Sequence, residues 1–195
     1  MINTSDINSF WNWFKANMYD LQSQKYPNNR FEELDNIITD FELRWEVGPG
    51  KKKANSLTIS PNGDLEKIEL VNEFIRLSPS LDSWEFYCFK QPKQNWYKLE
   101  LPSNEINITA EDWTYTILKY KDGKKEILIR GDSLNEIDPD YKVDIAEMVL
   151  INLIGEERMM TELDFIDVLS PDDNTYELQD ITELIEQLDY IKNGC

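Results

Sequence analysis

The sequence predicts an α+β chain in which an antiparallel-dominated sheet of about five to six strands is flanked by N-terminal and C-terminal helices. Three observations carry this reading. Apolar residues recur at helical spacing at both ends of the chain. The middle holds short runs rich in Trp, Tyr, Thr and Ile, two of which straddle an Asp-Gly turn. The order is two helices, two strands around a helix, further strands, then helices, without regular strand–helix alternation.

Each element has its own warrant. Ile7, Phe10, Trp11, Phe14, Met18 and Leu21 recur at three- and four-residue steps and predict a helix over 6–24, with Ser5 or Asp6 as cap and Trp13 off the stripe. Pro27-Asn28-Asn29 breaks the chain. Phe31, Leu34, Ile38 and Phe41 predict a second helix over 31–41. Residues 43–47 read as extended, ended by Gly48-Pro49-Gly50, and Lys51-Lys52-Lys53 as a solvated basic loop. Residues 56–60 read as a strand. Pro61-Asn62-Gly63 turns the chain into a third helix capped by Asp64, with Leu65, Ile68, Val71 and Ile75 facing in.

Residues 83–90 read as a strand apolar on both faces, hence central, and Trp96 to Leu101 as a short edge strand before Pro102. Residues 113–130 read as a hairpin around Lys121-Asp122-Gly123-Lys124, because an Asp-Gly pair supplies the positive φ angles of a tight turn. Asp138-Pro139 opens a helix that is apolar on nearly all sides through Ile154 and stops at Gly155. Residues 160–169 read as a short helical turn. Pro171 to Asn174 is a linker. A last helix over 175–192 carries Leu178, Ile181, Ile185, Leu188 and Ile191 on one face.

Length and composition bound the rest. The 195 residues, 41 % apolar and with 6 Trp, suffice for a core and read as a single acidic domain over 1–195, with 172–195 as a loosely docked C-terminal helix. There is no His, which excludes His acid–base chemistry, His-dependent nucleophiles and His metal sites. The 2 Cys, Cys88 and Cys195, build neither a four-Cys zinc site nor a disulfide framework, so Cys88 reads as a packed thiol. No apolar run approaches the roughly 18 residues of a membrane helix, and the N-terminus lacks a signal pattern, so the expectation is a cytoplasmic protein without a membrane partner.

The informative feature is where the charge sits. Of 38 acidic and 20 basic residues, the stretch 131–195 holds 18 acidic and 3 basic ones (Lys142, Arg158 and Lys192). Such a field repels nucleic-acid phosphate and attracts a cationic protein surface. The candidate partner-binding residues are Asp138, Asp140, Glu156, Glu157, Asp164, Asp167, Asp172, Asp173, Glu177 and Asp180, with Trp13 and Trp96 as candidate exposed aromatic anchors. The same carboxylates, with Asp144 and Glu147 three apart on one helix, are also the only candidates for oxygen ligands to a divalent cation or for an acid/base pair. No EF-hand spacing and no Gly-rich phosphate loop occur, so no catalytic residue, metal or cofactor is assigned.

Leu57-Thr58-Ile59-Ser60-Pro61-Asn62-Gly63, the helix after it, Ser78-Pro79-Ser80-Leu81, Trp84-Glu85-Phe86 and Phe89-Lys90 together resemble a group of uncharacterised bacterial α+β proteins over residues 45–95. Ser78 stands where that pattern usually has Ala. Some members look like immunity proteins of toxin neighbourhoods. Together with the acidic stretch 131–195, this gives the expectation of a non-enzymatic acidic binding protein, an immunity protein that neutralises a cationic toxin domain by occlusion; the resemblance itself brings no catalytic residues. The alternatives are a carboxylate- or metal-dependent enzyme, and a structural or regulatory subunit.

Overall fold

The computed structural model describes residues 4–22, 29–101 and 106–193. The expected continuation of the first helix to Gln24, the Pro27-Asn28 part of the break, Pro102 and Cys195 lie outside the described residues. The chain gathers into two compact units, 1–90 and 91–195, where the sequence reads as one domain.

The first unit holds α1 (Thr4–Leu21), α2 (Asn29–Thr39), β1 (Arg44–Gly48), β2 (Asn55–Ser60), α3 (Ile68–Arg76) and β3 (Trp84–Cys88). The three strands form one sheet in the order β1-β2-β3. β1 runs antiparallel to β2 (Trp45 opposite Ile59), and β3 runs parallel to it (Leu57 opposite Phe86). The central strand is thus β2, and the expectation that Trp84–Cys88 lies centrally is corrected. The Ser-Leu-Thr-Ile-Ser run alternates like a half-exposed strand, yet Ser56, Thr58 and Ser60 are buried too. Short hydroxyls permit this by finding local partners. Ser56 Oγ donates to the Gly48 and Pro49 carbonyls, and Ser60 Oγ accepts the Asn62 N–H.

α1 covers this sheet with rings. Phe14 meets Trp84 at 4.9 Å and Trp11 meets Phe86 at 4.7 Å, both edge-on, a geometry the ring quadrupoles favour. Trp11 Nε1 donates to the Phe74 carbonyl at 2.9 Å, tying α1 to α3. Asp64 accepts the Glu66 N–H as expected of a cap, but what it caps is a 3-10 turn over Leu65–Lys67. That tighter winding turns Leu65 out of the apolar stripe. It is 59 % exposed and does not face in.

The second unit holds β4 (Lys98–Leu101), β5 (Ile106–Thr109), β6 (Thr114–Lys119), β7 (Lys125–Arg130), α4 (Pro139–Ile154), α5 (Glu156–Glu162), β8 (Phe165–Val168), β9 (Gln179–Asp180) and α6 (Leu184–Lys192). β4 and β5 form a two-stranded antiparallel sheet, and the others form a four-stranded sheet in the order β8-β7-β6-β9. The architecture is therefore α+β, but with three small sheets, two of them containing a parallel pair, in place of one antiparallel-dominated sheet.

The β6–β7 hairpin forms as predicted, with Lys119 opposite Lys125 and Gly123 at φ +89° in the turn. α4 starts on Asp138, whose side chain accepts the Asp140 N–H, with Pro139 in the first turn, and it stops at Gly155 (φ +85°). It buries Ile145, Ala146, Val149, Leu150, Leu153 and Ile154, while Val143 and Met148 remain exposed. Residues 160–169 are not a helical turn. They hold the end of α5 and then β8, which runs parallel to β7 with Ile166 opposite Ile127. The last helix starts at Leu184, after β9 and a 3-10 turn that Asp180 caps by accepting the Thr182 N–H. Ile181, Leu184 and Leu188 are fully buried in this unit's core beside Trp113, Tyr115 and Ile129, whereas Ile185 is exposed. Among the described residues no helix is long and apolar enough to cross a membrane.

Candidate functional site

The acidic bias follows the division of the chain. Residues 91–195 carry 24 acidic and 10 basic side chains, against 14 and 10 in residues 1–90. Cations that would balance this surface pair with one carboxylate instead. Arg158 forks onto Glu162 (Nη2 to Oε2, 2.9 Å) and also reaches Asp189 of α6 at 2.9 Å. Lys192 reaches the other Glu162 oxygen at 3.2 Å. Two of the three basic residues of 131–195 are thus spent on one cluster that fastens α6 to α5. Burial alone would raise the Glu162 carboxyl. The hydrogen bonds from Arg158 and Lys192, with their charges, outweigh it and hold the group below the ordinary carboxylate range.

Asp138, Asp140, Glu157, Asp164, Asp167, Asp172, Glu177 and Asp180 are exposed and Asp173 is half-buried. None of these nine forms a salt bridge among the described residues, whereas Glu162, Arg158, Asp189 and Lys192 are joined in one cluster. Five of them nevertheless have local work. Asp138 and Asp180 cap helical turns. Asp164 accepts the Lys125 N–H at 2.8 Å, Asp167 the Val168 N–H at 2.7 Å, and Asp173 the Thr175 N–H at 2.9 Å. The hydrogen bonds of Thr182 to Asp180 and of Thr175 to Asp173 hold both carboxyls below their ordinary range.

Glu156 departs from its expected place. It is 1 % exposed, because Gly155 turns the chain sharply between α4 and α5 and the first residue of α5 is drawn inside. Its carboxylate does not belong to the presented surface. Trp96 packs against the core edge-on to Tyr97 (5.8 Å), so both candidate aromatic anchors are half-buried and not freely exposed. Trp13 donates its indole N–H to Glu33 at 3.1 Å. Glu162, Arg158 and Asp189 were not among the sequence candidates. The only sequence signal for them was the Arg158–Glu162 spacing of four on a helix.

Several features bear on chemistry. Among the described residues no group of three or more Cys, Asp or Glu is arranged to hold a metal ion. Tyr115 is buried, and burial, followed by the charges of Glu183 and Asp180, pushes its phenol up to about 12, so it stays protonated. The Lys51–Lys53 loop wraps a half-buried carboxylate of the same unit: Glu85 accepts the backbone N–H groups of Lys51 and Lys52 and the Tyr87 hydroxyl. The Tyr87 bond is the main reason its carboxyl lies below the ordinary range.

No family model, no curated protein and no solved structure matches the chain.

Proposed function

We propose that this chain is a non-enzymatic, cytoplasmic binding protein whose acidic second unit engages a basic protein domain, and that it acts as an immunity protein occluding a cationic toxin. One observation carries the reading. Nine carboxylates of 138–180 lie without a salt bridge among the described residues, while Arg158 and Lys192 are both paired to Glu162. Unpaired surface charge of one sign steers an oppositely charged partner and speeds encounter, and a few pairs desolvated at the centre slow its release. The resemblance over 45–95 supports the toxin side of the reading.

The test is co-expression with a candidate basic toxin domain, scored by growth, together with binding kinetics at two salt concentrations. The side chains of Asp172, Glu177 and Asp140 make no hydrogen bond among the described residues, so their joint reversal to Lys leaves the fold intact. It should slow association about ten-fold or more at low salt and flatten the salt dependence. Glu157→Lys probes the centre through the dissociation rate. Asp164 and Asp167 are better changed to Asn, since each holds a backbone N–H. Glu156 is left alone, because a Lys there would be buried. Full protection and unchanged kinetics in every variant would reduce the charge to a solubility device and overturn the proposal.

A further inference from the structure

The first unit contains a cleft of about 460 Å³ between the start of α1 and the end of α2, lined by Ser9, Phe10, Trp13, Ile37, Phe41 and the two carboxylates Asp6 and Asp40, with no Lys or Arg among the described residues of its wall. Its volume falls in the range of small-ligand sites. Three of its lining residues are aromatic, and the indole is held in place by a hydrogen bond. Trp13 Nε1 donates to Glu33, which Arg30 clamps with both carboxylate oxygens at 2.7 Å. The Trp13 ring lies nearly parallel to Phe10, with centroids 6.2 Å apart. A ring fixed before binding loses little freedom when a ligand arrives.

The two carboxylates have different standing. Asp6 sits in the first turn of α1, where the helix dipole favours a negative charge whatever the function. Asp40 has no such explanation. It follows directly on the C-terminus of α2, whose last turn holds no basic residue, so it adds negative charge to the negative end of the dipole. Its side chain has no hydrogen bond or ion pair among the described residues. A residue that breaks a local rule without structural compensation is the kind that function retains.

We infer that this cleft binds an organic cation, a guanidinium or alkylammonium group, seated on the half-buried Trp13 ring, which the buried Phe10 backs, with Asp6 and Asp40 as counter-charges. Aromatic faces attract cations through their quadrupole, most strongly when the site is partly desolvated. Two carboxylates exclude anions and give a cation the advantage over a neutral ligand of the same shape. The inference concerns the first unit and is independent of the toxin reading. Failure of either leaves the other standing.

The experiment follows the Trp13 indole N–H by NMR, assigned with Trp13→Phe, in the full chain at about 0.15 M salt, where exposed charges are screened beyond about 8 Å. The probes are agmatine and spermidine as free cations, an arginine-containing peptide as a side-chain source, and butylurea as a neutral control. Agmatine should shift the Trp13 signal saturably and butylurea should not. Asp40→Asn should weaken agmatine about five-fold, the scale of one exposed charge pair, while the melting temperature holds or rises. Tighter binding of the peptide than of agmatine identifies a protein side chain as the source, and equal or weaker binding identifies a free amine. Equal binding of butylurea, unchanged affinity in Asp40→Asn, or a lower melting temperature for that variant overturns the inference. The last outcome would give Asp40 a structural reason to be there.

Discussion

Gly131 precedes a 3-10 turn with its backbone extended, at φ −158°, so any residue meets its dihedral demands. Space is what excludes other residues. A Cβ placed there would lie 2.2 Å from Cδ1 of Trp113. Trp113 cannot step aside easily, because it is fully buried and its Nε1 donates to Ser133 Oγ at 3.0 Å. Ser133 in turn donates to the Thr109 carbonyl at 2.8 Å. Gly131→Ala should therefore cost about 1–3 kcal/mol, the usual range for overpacking, read as a lower urea midpoint at unchanged slope. A loss under about 0.5 kcal/mol, the scatter of surface changes, would mean that the indole repacks freely. At this scale the sequence was legible for capping and turn residues such as Asp138, Gly123 and Gly155, whose chemistry is local. Partners far along the chain were not legible. Spacing set Trp13 off the apolar stripe of α1, but nothing local pointed to Glu33, 20 positions later, as the acceptor of its indole N–H.

Elements were read well where a terminating signal bounded them and poorly where a short apolar run stood alone. The β6–β7 hairpin and α4 carry Asp-Gly, Asp-Pro and Gly at their ends. Phe165-Ile166-Asp167-Val168 is only four residues long, and periodicity cannot separate a strand from a helical turn at that length. It becomes a strand because β7 offers it an edge. β5 was missed for the same reason. The late start of α6 was hidden because Leu178 and Ile181 continue its spacing, although β9 and a capped 3-10 turn occupy 179–183. What fastens α6 is therefore not its apolar face alone but also Glu162 between Arg158 and Lys192. Glu162→Gln keeps the shape and removes the charge. It should cost about 1–3 kcal/mol, the range for charged hydrogen bonds, and speed amide exchange in 184–192 before the rest of the unit. The folded Glu162 carboxyl lies below its ordinary range, so the stability it contributes is present above that range and lost as pH falls through the folded value. The gap between wild type and Glu162→Gln should thus be full near pH 7 and close in acid. A gap that persists unchanged in acid would assign the effect to packing.

The whole chain carries a formal charge of −18, and 24 of its 38 carboxylates fall in residues 91–195. Self-repulsion of this kind opposes folding, because compaction brings like charges together. Added salt shortens its reach from about 20 Å at 0.02 M to about 6 Å at 0.3 M. The same salt also weakens attractions, so the sign of its effect depends on which charges are close. The ion pairs around Glu162 and Arg158 centre on a carboxylate that is 8 % exposed, with Lys192 (69 %) and Asp189 (58 %) open to solvent, so salt screens them only in part. The repelling carboxylates at 138, 140, 157, 164, 167, 172, 177 and 180 are exposed and feel the full screening. Attraction is therefore sheltered in part, while the repulsion is screened in full. The urea midpoint should rise as NaCl goes from about 0.02 M to about 0.3 M, and should rise less in the Asp140, Glu177 and Asp172 triple reversal, in which part of the repulsion is already gone. The comparison matters more than the rise itself, since a salt that merely strengthens apolar burial would stabilise both proteins alike. Equal gains in the two proteins would place the salt effect in the core, and the acidic surface would then exert no measurable force on the fold.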